Sequence, residues 1–141
     1  MKNDLNKFKG AQERDYQIAL TEIKNGRKQS HWMWYIFPQI KGLGLSQTSK
    51  YYAINDIEEA KNYLSHPILG SRLIEISNEL LKLNTDNALS IFGSPDDLKL
   101  KSSMTLFSLV EKTNPVFQLV LDKYFKGEKD SQTMQIIKEA N

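Results

Sequence analysis

The sequence predicts an all-α fold: a compact multihelical single domain of about six to eight helices. Three observations carry this. Apolar residues recur at three- and four-residue steps over most of the chain. Proline stands at the start of several of these runs, at Pro67, Pro95 and Pro115, where its missing N–H costs a helix nothing. Residues tolerant of positive φ close them at Asn25-Gly26 and Gly127. At 141 residues the chain buries one sizeable core and is too short for two.

Taken in order, Phe8, Tyr16, Ala19, Leu20 and Ile23 form the apolar face of a first helix that ends near Asn25. From Ser30 to Phe37 the apolar density is continuous, so periodicity alone does not separate helix from strand. A short helix capped by Ser30 and ended by Pro38 is the preferred reading. The stretch from Gln39 to about Ile54, with two glycines and many hydroxyls, reads as an irregular loop. Asp56 and Glu59 resemble a capping box and open a helix carrying Ile57, Ala60, Tyr63 and Leu64. Pro67 opens the next, with Leu69, Leu73, Ile76, Leu80 and Leu83 inside. Asn84-Thr85-Asp86 breaks it, and a brief turn through Leu89, Ile91 and Phe92 leads to Gly93. Ser94 is read as the cap of a helix from Leu98 to Lys112, with Asp96 and Asp97 near its positive end. Asn114-Pro115 starts a helix through Val116, Phe117, Val120, Leu121, Tyr124 and Phe125. Asp130 caps a last one, Gln132 to Glu139.

Composition excludes several classes. With 19 Lys and Arg against 17 Asp and Glu, the formal charge of +2 offers no electrostatic case for a nucleic-acid or membrane partner. Lys24, Arg27 and Lys28, the densest basic cluster, read as a solvated helix end. No cysteine is present, which removes disulfides, thiolate zinc sites and a thiol nucleophile. His31 and His66 are too few for a purely histidine metal site, and no residue pattern calls for a cofactor. The first ten residues lack the apolar core of a signal peptide, and no apolar run approaches the roughly 20 residues that span a bilayer. A cytoplasmic protein is expected.

Chemistry concentrates in two stretches. In Ser30-His31-Trp32-Met33-Trp34-Tyr35-Ile36-Phe37-Pro38-Gln39, large rings carry N–H and O–H groups that need partners, as in a pocket wall. His31 is the candidate acid–base residue, with Asp97 as its carboxylate partner. Its alternative role is a backbone hydrogen bond within an aromatic shell. Trp32 and Trp34 are candidate stacking surfaces. Neighbouring helical residues diverge by about 100°, so at least one aromatic ring of this run belongs to the core. Gln39, Lys41, Gly42, Gly44 and Ser46 make a polar loop suited to an anion, although neither nucleotide-binding glycine fingerprint is present. The second stretch holds Lys99, Ser102 and Ser103, which are expected to bind a ligand or neighbouring helices. An Asp97–Lys101 pair four residues apart is its ordinary structural reading. Arg72, a cation in the first turns of its helix where the dipole disfavours it, is a further candidate anion ligand.

Ser30-His31-Trp32-Met33-Trp34, Phe37-Pro38-Gln39, Gly42-Leu43-Gly44, His66-Pro67, Leu69-Gly70, Arg72-Leu73 and Ser102-Ser103-Met104-Thr105-Leu106-Phe107 follow one another in an order that resembles bacterial domain-of-unknown-function family 1810. The resemblance runs from about Phe8 to Thr133 and implies a mainly α-helical single domain without an established activity. Members of this family are sometimes labelled calpastatin-like. Calpastatin inhibitory segments are disordered and poor in large apolar residues, whereas this chain is 40% hydrophobic with helical periodicity, so the label carries no mechanism. The family usually has Phe where this chain has Tyr35, a change that adds a hydroxyl and keeps the ring.

Two functional classes follow. One is an enzyme acting by acid–base chemistry on a phosphorylated, nucleotide-like or sugar-like ligand, and the other is a non-catalytic ligand-binding or protein-interaction module. Both require the pocket; a small anionic molecule is the expected ligand, and the sequence names no protein partner.

Overall fold

The computed structural model describes residues 5–140, and among these the chain is helical with no strand. Nine helices are present: α1 (Asn6–Lys24), α2 (Met33–Ile36), α3 (Gln47–Tyr51), α4 (Ile57–Ser65), α5 (Leu69–Lys82), α6 (Ala88–Phe92), α7 (Asp96–Ser108), α8 (Val116–Phe125) and α9 (Ser131–Ala140). Six have seven or more residues. The expectation of six to eight is corrected upward by α3 and α6, five-residue helices that the sequence reading left as loop and turn. Both form on a side-chain cap. Ser46 Oγ accepts from the Ser49 N–H at 3.1 Å, and Asn87 Oδ1 accepts from the Ser90 N–H at 3.2 Å.

α5 lies at the centre, packed against α1, α4 and α8, while α7 packs against α4, α6, α8 and α9. Their apolar faces supply Leu73, Ile76, Leu80, Leu100, Met104, Phe107, Phe117, Val120 and Leu121, all buried. Each such side chain contributes roughly 1.5–3 kcal/mol relative to exposure. α4 and α5 meet at Gly70, where a Cβ would lie 2.1 Å from the Leu64 carbonyl oxygen, so only glycine permits this approach. A polar seam joins α1 to its neighbours. The buried Gln12 amide donates to the Tyr35 carbonyl at 2.7 Å and the Tyr63 hydroxyl at 2.9 Å, and the Tyr16 hydroxyl donates to Glu75 at 2.5 Å.

Local details differ from the sequence reading for identifiable reasons. Residues 33–36 are a helix that starts without a side-chain cap, because Ser30 turns back to Glu22. α7 also begins without one, at Pro95 rather than Ser94, and it ends at Ser108. Beyond it the chain turns sharply, with Lys112 in the left-handed region at φ 59°. His66, not Pro67 alone, starts α5: its Nδ1 accepts from the N–H groups of Ile68 and Leu69, each at 3.2 Å. Asp130 caps α9 as expected, accepting from the Thr133 N–H at 2.9 Å. The loop after Pro38 is closed at both ends by a parallel bridge between Ile40 and Ile54. There Lys41 N–H donates to the Ile54 carbonyl and Ile54 N–H to the Gln39 carbonyl, both at 2.8 Å. That bridge fixes where the glycine loop leaves the domain.

Candidate functional site

Glu22, near the end of α1, organises the aromatic segment. Its carboxylate accepts from Gln29 N–H at 2.8 Å, Ser30 N–H at 3.0 Å, Ser30 Oγ at 2.5 Å and the Trp32 indole at 2.9 Å. Burial acts to raise the Glu22 carboxyl, but the Ser30, Gln29 and Trp32 donors outweigh it and hold the group below its ordinary value. Trp32 is 1% exposed and belongs to the core. Trp34, partly buried, is the tryptophan left to face outward.

The N-terminus of α7 docks beside both rings. Lys28, whose side chain is only 9% exposed, places its ammonium 5.1 Å from the centroid of Trp32 and 3.0 Å from Asp96. Lys99 lies 5.5 Å from the centroid of Trp34 and 3.7 Å from the other Asp96 oxygen. Two tryptophan–lysine pairs therefore flank one carboxylate, itself well placed near a helix N-terminus. The expectation that Lys28 is solvated is corrected: it is a partly buried strut between the aromatic segment and α7. One turn beyond Lys99 on the same helical face is Ser103, fully buried, with no hydrogen-bond partner for its hydroxyl among the described residues. Asp97 Oδ1 is likewise buried without a partner.

Beside this junction is a cleft of about 320 Å³ between the glycine loop, α7 and the start of α9. Gln39, Gly44, Lys99 and Ser102, all singled out in the sequence, line it together. Pro95, just before α7, and Leu98, Lys99 and Ser102 within it fall at i, i+3, i+4 and i+7 on one face, and Lys101 flanks them. Lys101 is paired with Glu128 at 3.0 Å rather than with Asp97, and Glu128 is largely exposed. Gly44 is required because a Cβ there would lie 2.3 Å from Ser49 Cβ.

The other selected residues lie apart from this cleft's lining. His31 is exposed at the start of the aromatic segment, its carbonyl accepting from the Tyr35 hydroxyl at 3.2 Å. The single proton of that hydroxyl is shared with Asp15, the nearer partner, and burial together with this bond pushes the Tyr35 phenol up to about 12. No hydrogen bond joins His31 to Asp97 among the described residues. Ser46 caps α3, while Lys41 and Gly42 are exposed, Gly42 resting near Ile136 of α9. Arg72 is held against α1, donating to Glu13 at 3.2 Å and lying over the Tyr16 ring. Sequence reasoning missed Glu22, Gln132 and Leu98. The four-residue steps along α7 point to Leu98, whereas nothing local marks Glu22 or Gln132, whose neighbours come from distant segments. A wider depression of about 650 Å³ runs along α9 between Leu109 and Met134 and contains none of the selected residues.

Among the described residues, nine helices with a polar cleft near the aromatic segment define a class by architecture rather than by reaction. The chain belongs to the family described as Protein of unknown function (DUF1810), whose family model matches residues 2–137. It is similar, at 42% identity over 96% of each chain and with a TM-score of 0.93, to the crystal structure of the conserved hypothetical protein Rv1873 from Mycobacterium tuberculosis. No curated protein matches the sequence. No helix among the described residues is long and apolar enough to cross a membrane, and no group of three or more His, Asp or Glu is placed to hold a metal ion.

Proposed function

We propose that the cleft between the glycine loop, α7 and α9 binds a small molecule through an anionic group, a phosphate being the simplest. The observation that carries this reading is that Lys99 lines one cleft together with Gln39, Ser102 and Gln132. A cation steadied by the Trp34 face shares the cleft wall with three hydrogen-bonding side chains, and one turn along α7, outside the lining, the buried Ser103 hydroxyl has no partner among the described residues. An unmatched buried hydroxyl costs a fold about 1–3 kcal/mol, and proteins tolerate such costs most often where a site is built. Lys101 adds a second cation, because its ion pair with the exposed Glu128 is of a kind worth little and is readily exchanged for a bound anion.

Binding without chemistry is favoured over acid–base catalysis. The cleft's one carboxylate, Asp130, is committed to capping α9 through the Thr133 N–H and hydroxyl, and His31 is not among the lining residues. Titration with inorganic phosphate, followed through the Trp34 indole N–H by NMR, tests the reading. Saturable shifts at Trp34 and at the Gln39 and Gln132 side-chain amides, lost in Lys99→Met, are the expected result. No saturable shift at millimolar phosphate overturns it.

A further inference from the structure

We infer that the ligand of this cleft is amphiphilic: an anionic group joined to a flat or branched apolar portion that covers Leu98. This rests on the binding reading above and names the chemistry of the part that reading leaves open.

The cleft has two unlike sides. Lys99, Lys101, Ser102, Gln39 and Gln132 supply charge and hydrogen bonds, the lining carboxylate of Asp130 is taken up by the Thr133 N–H and hydroxyl, and Leu43, Pro95 and Leu98 supply an apolar margin. Leu98 is 57% exposed, although Leu100, Met104, Leu106 and Phe107 of the same helix are fully buried. Leu45, next to the lining residue Gly44, is 85% exposed. Single exposed leucines are common on protein surfaces. Here one of them lines a cleft that also holds two lysines, and the other neighbours the lining residue Gly44. Helix propensity does not select Leu98, since Lys or Glu at an exposed helical position would serve nearly as well. A purely ionic ligand such as phosphate would use the lysines and leave Leu98 in water. A ligand with an apolar portion on the same scaffold buries it and gains affinity in proportion to the apolar area removed from water.

The test compares three probes on the intact chain: inorganic phosphate, phenyl phosphate and phenol. Phenyl phosphate is expected to bind on the order of tenfold more tightly than phosphate, which corresponds to burying roughly 55 Å² of apolar surface. Its binding should shift the Leu98 methyl resonances together with the Trp34 indole. Leu98→Ser should bring the ratio of the two affinities toward one, and Leu45→Ser, outside any helix, should lower the same ratio independently; unchanged helical content excludes unfolding as the cause. Equal affinities for phenyl phosphate and phosphate in the unaltered chain overturn this inference and leave the anion-binding reading standing. If neither phosphate compound binds, both fall. Phenol binding as tightly as phenyl phosphate also sinks both, since the anionic group then contributes nothing.

Discussion

The indole N–H of Trp32 donates to Glu22 Oε1 at 2.9 Å, fastening the aromatic segment to the last turns of α1. The same carboxylate holds Ser30, so one side chain satisfies both ends of the Ser-His-Trp string. Glu22→Ala strands a buried indole donor and should destabilise the fold by about 1–3 kcal/mol through that donor alone, measured by chemical denaturation.

Glu22 also sets a pH dependence. Its carboxyl in the fold lies below the ordinary value of 4.5, so the folded chain holds this proton less tightly than the unfolded chain does. The resulting stabilisation is fully present above the unfolded value and is lost as pH falls through the folded one. Denaturation midpoints of the parent chain should therefore drop on acidification below about pH 4.5, and those of Glu22→Gln should drop less, the two curves converging toward acid. Parallel curves would show that Glu22 does not titrate differently on folding.

Trp32→Ala and His31→Ala should separate widely. Trp32 is 1% exposed, and truncating a buried indole costs about 3–5 kcal/mol. His31 is exposed, and such a substitution should stay within about 0.5 kcal/mol. Equal losses would make His31 a structural residue.

Two buried hydroxyls of α7 should respond with opposite signs. Thr105 Oγ1 donates to the Lys101 carbonyl and accepts from the Asp130 N–H, each at 2.8 Å, so Thr105→Val should cost about 1–3 kcal/mol. Ser103 Oγ has no partner among the described residues, so Ser103→Ala should be neutral or raise stability by about 1 kcal/mol. Thermal unfolding of both variants checks the pair.

Gly70→Ala should be among the most damaging single-methyl changes. The added carbon meets a backbone oxygen of α4 rather than a side chain that can move, and a cost of about 3 kcal/mol is expected from the forced separation of α4 and α5. Denaturant unfolding measures it. A loss below about 1 kcal/mol would mean that the helices part easily.

What the sequence disclosed follows from the range of the interactions. The helices of α1, α4, α5, α8 and α9 were legible because apolar spacing, Pro115 and the caps at Asp56 and Asp130 act within a few residues. α3 and α6 were not, since a five-residue helix carries too little periodicity to register. The meeting of the aromatic segment with α7 is made by tertiary contacts. Its agents, Lys28 reaching Asp96 and Lys99 reaching Trp34, join residues more than sixty positions apart and leave no trace in local spacing. Arg72 illustrates the converse. Its position at the unfavourable end of α5 suggested an anion, and the structure supplies Glu13 from α1, an ordinary carboxylate that only tertiary packing brings near.

The Glu22 hub has an evolutionary consequence. The most recognisable string of the chain answers to the first helix: Ser30 and Trp32 hold α1, while the cleft is lined by other residues, from α7, the glycine loop and the start of α9. Folding alone accounts for Ser30 and Trp32, though not for the exposed His31 between them. The scaffold can thus stay constant while the cleft drifts, and two descendants of one ancestor can share the aromatic signature yet part company in what they hold.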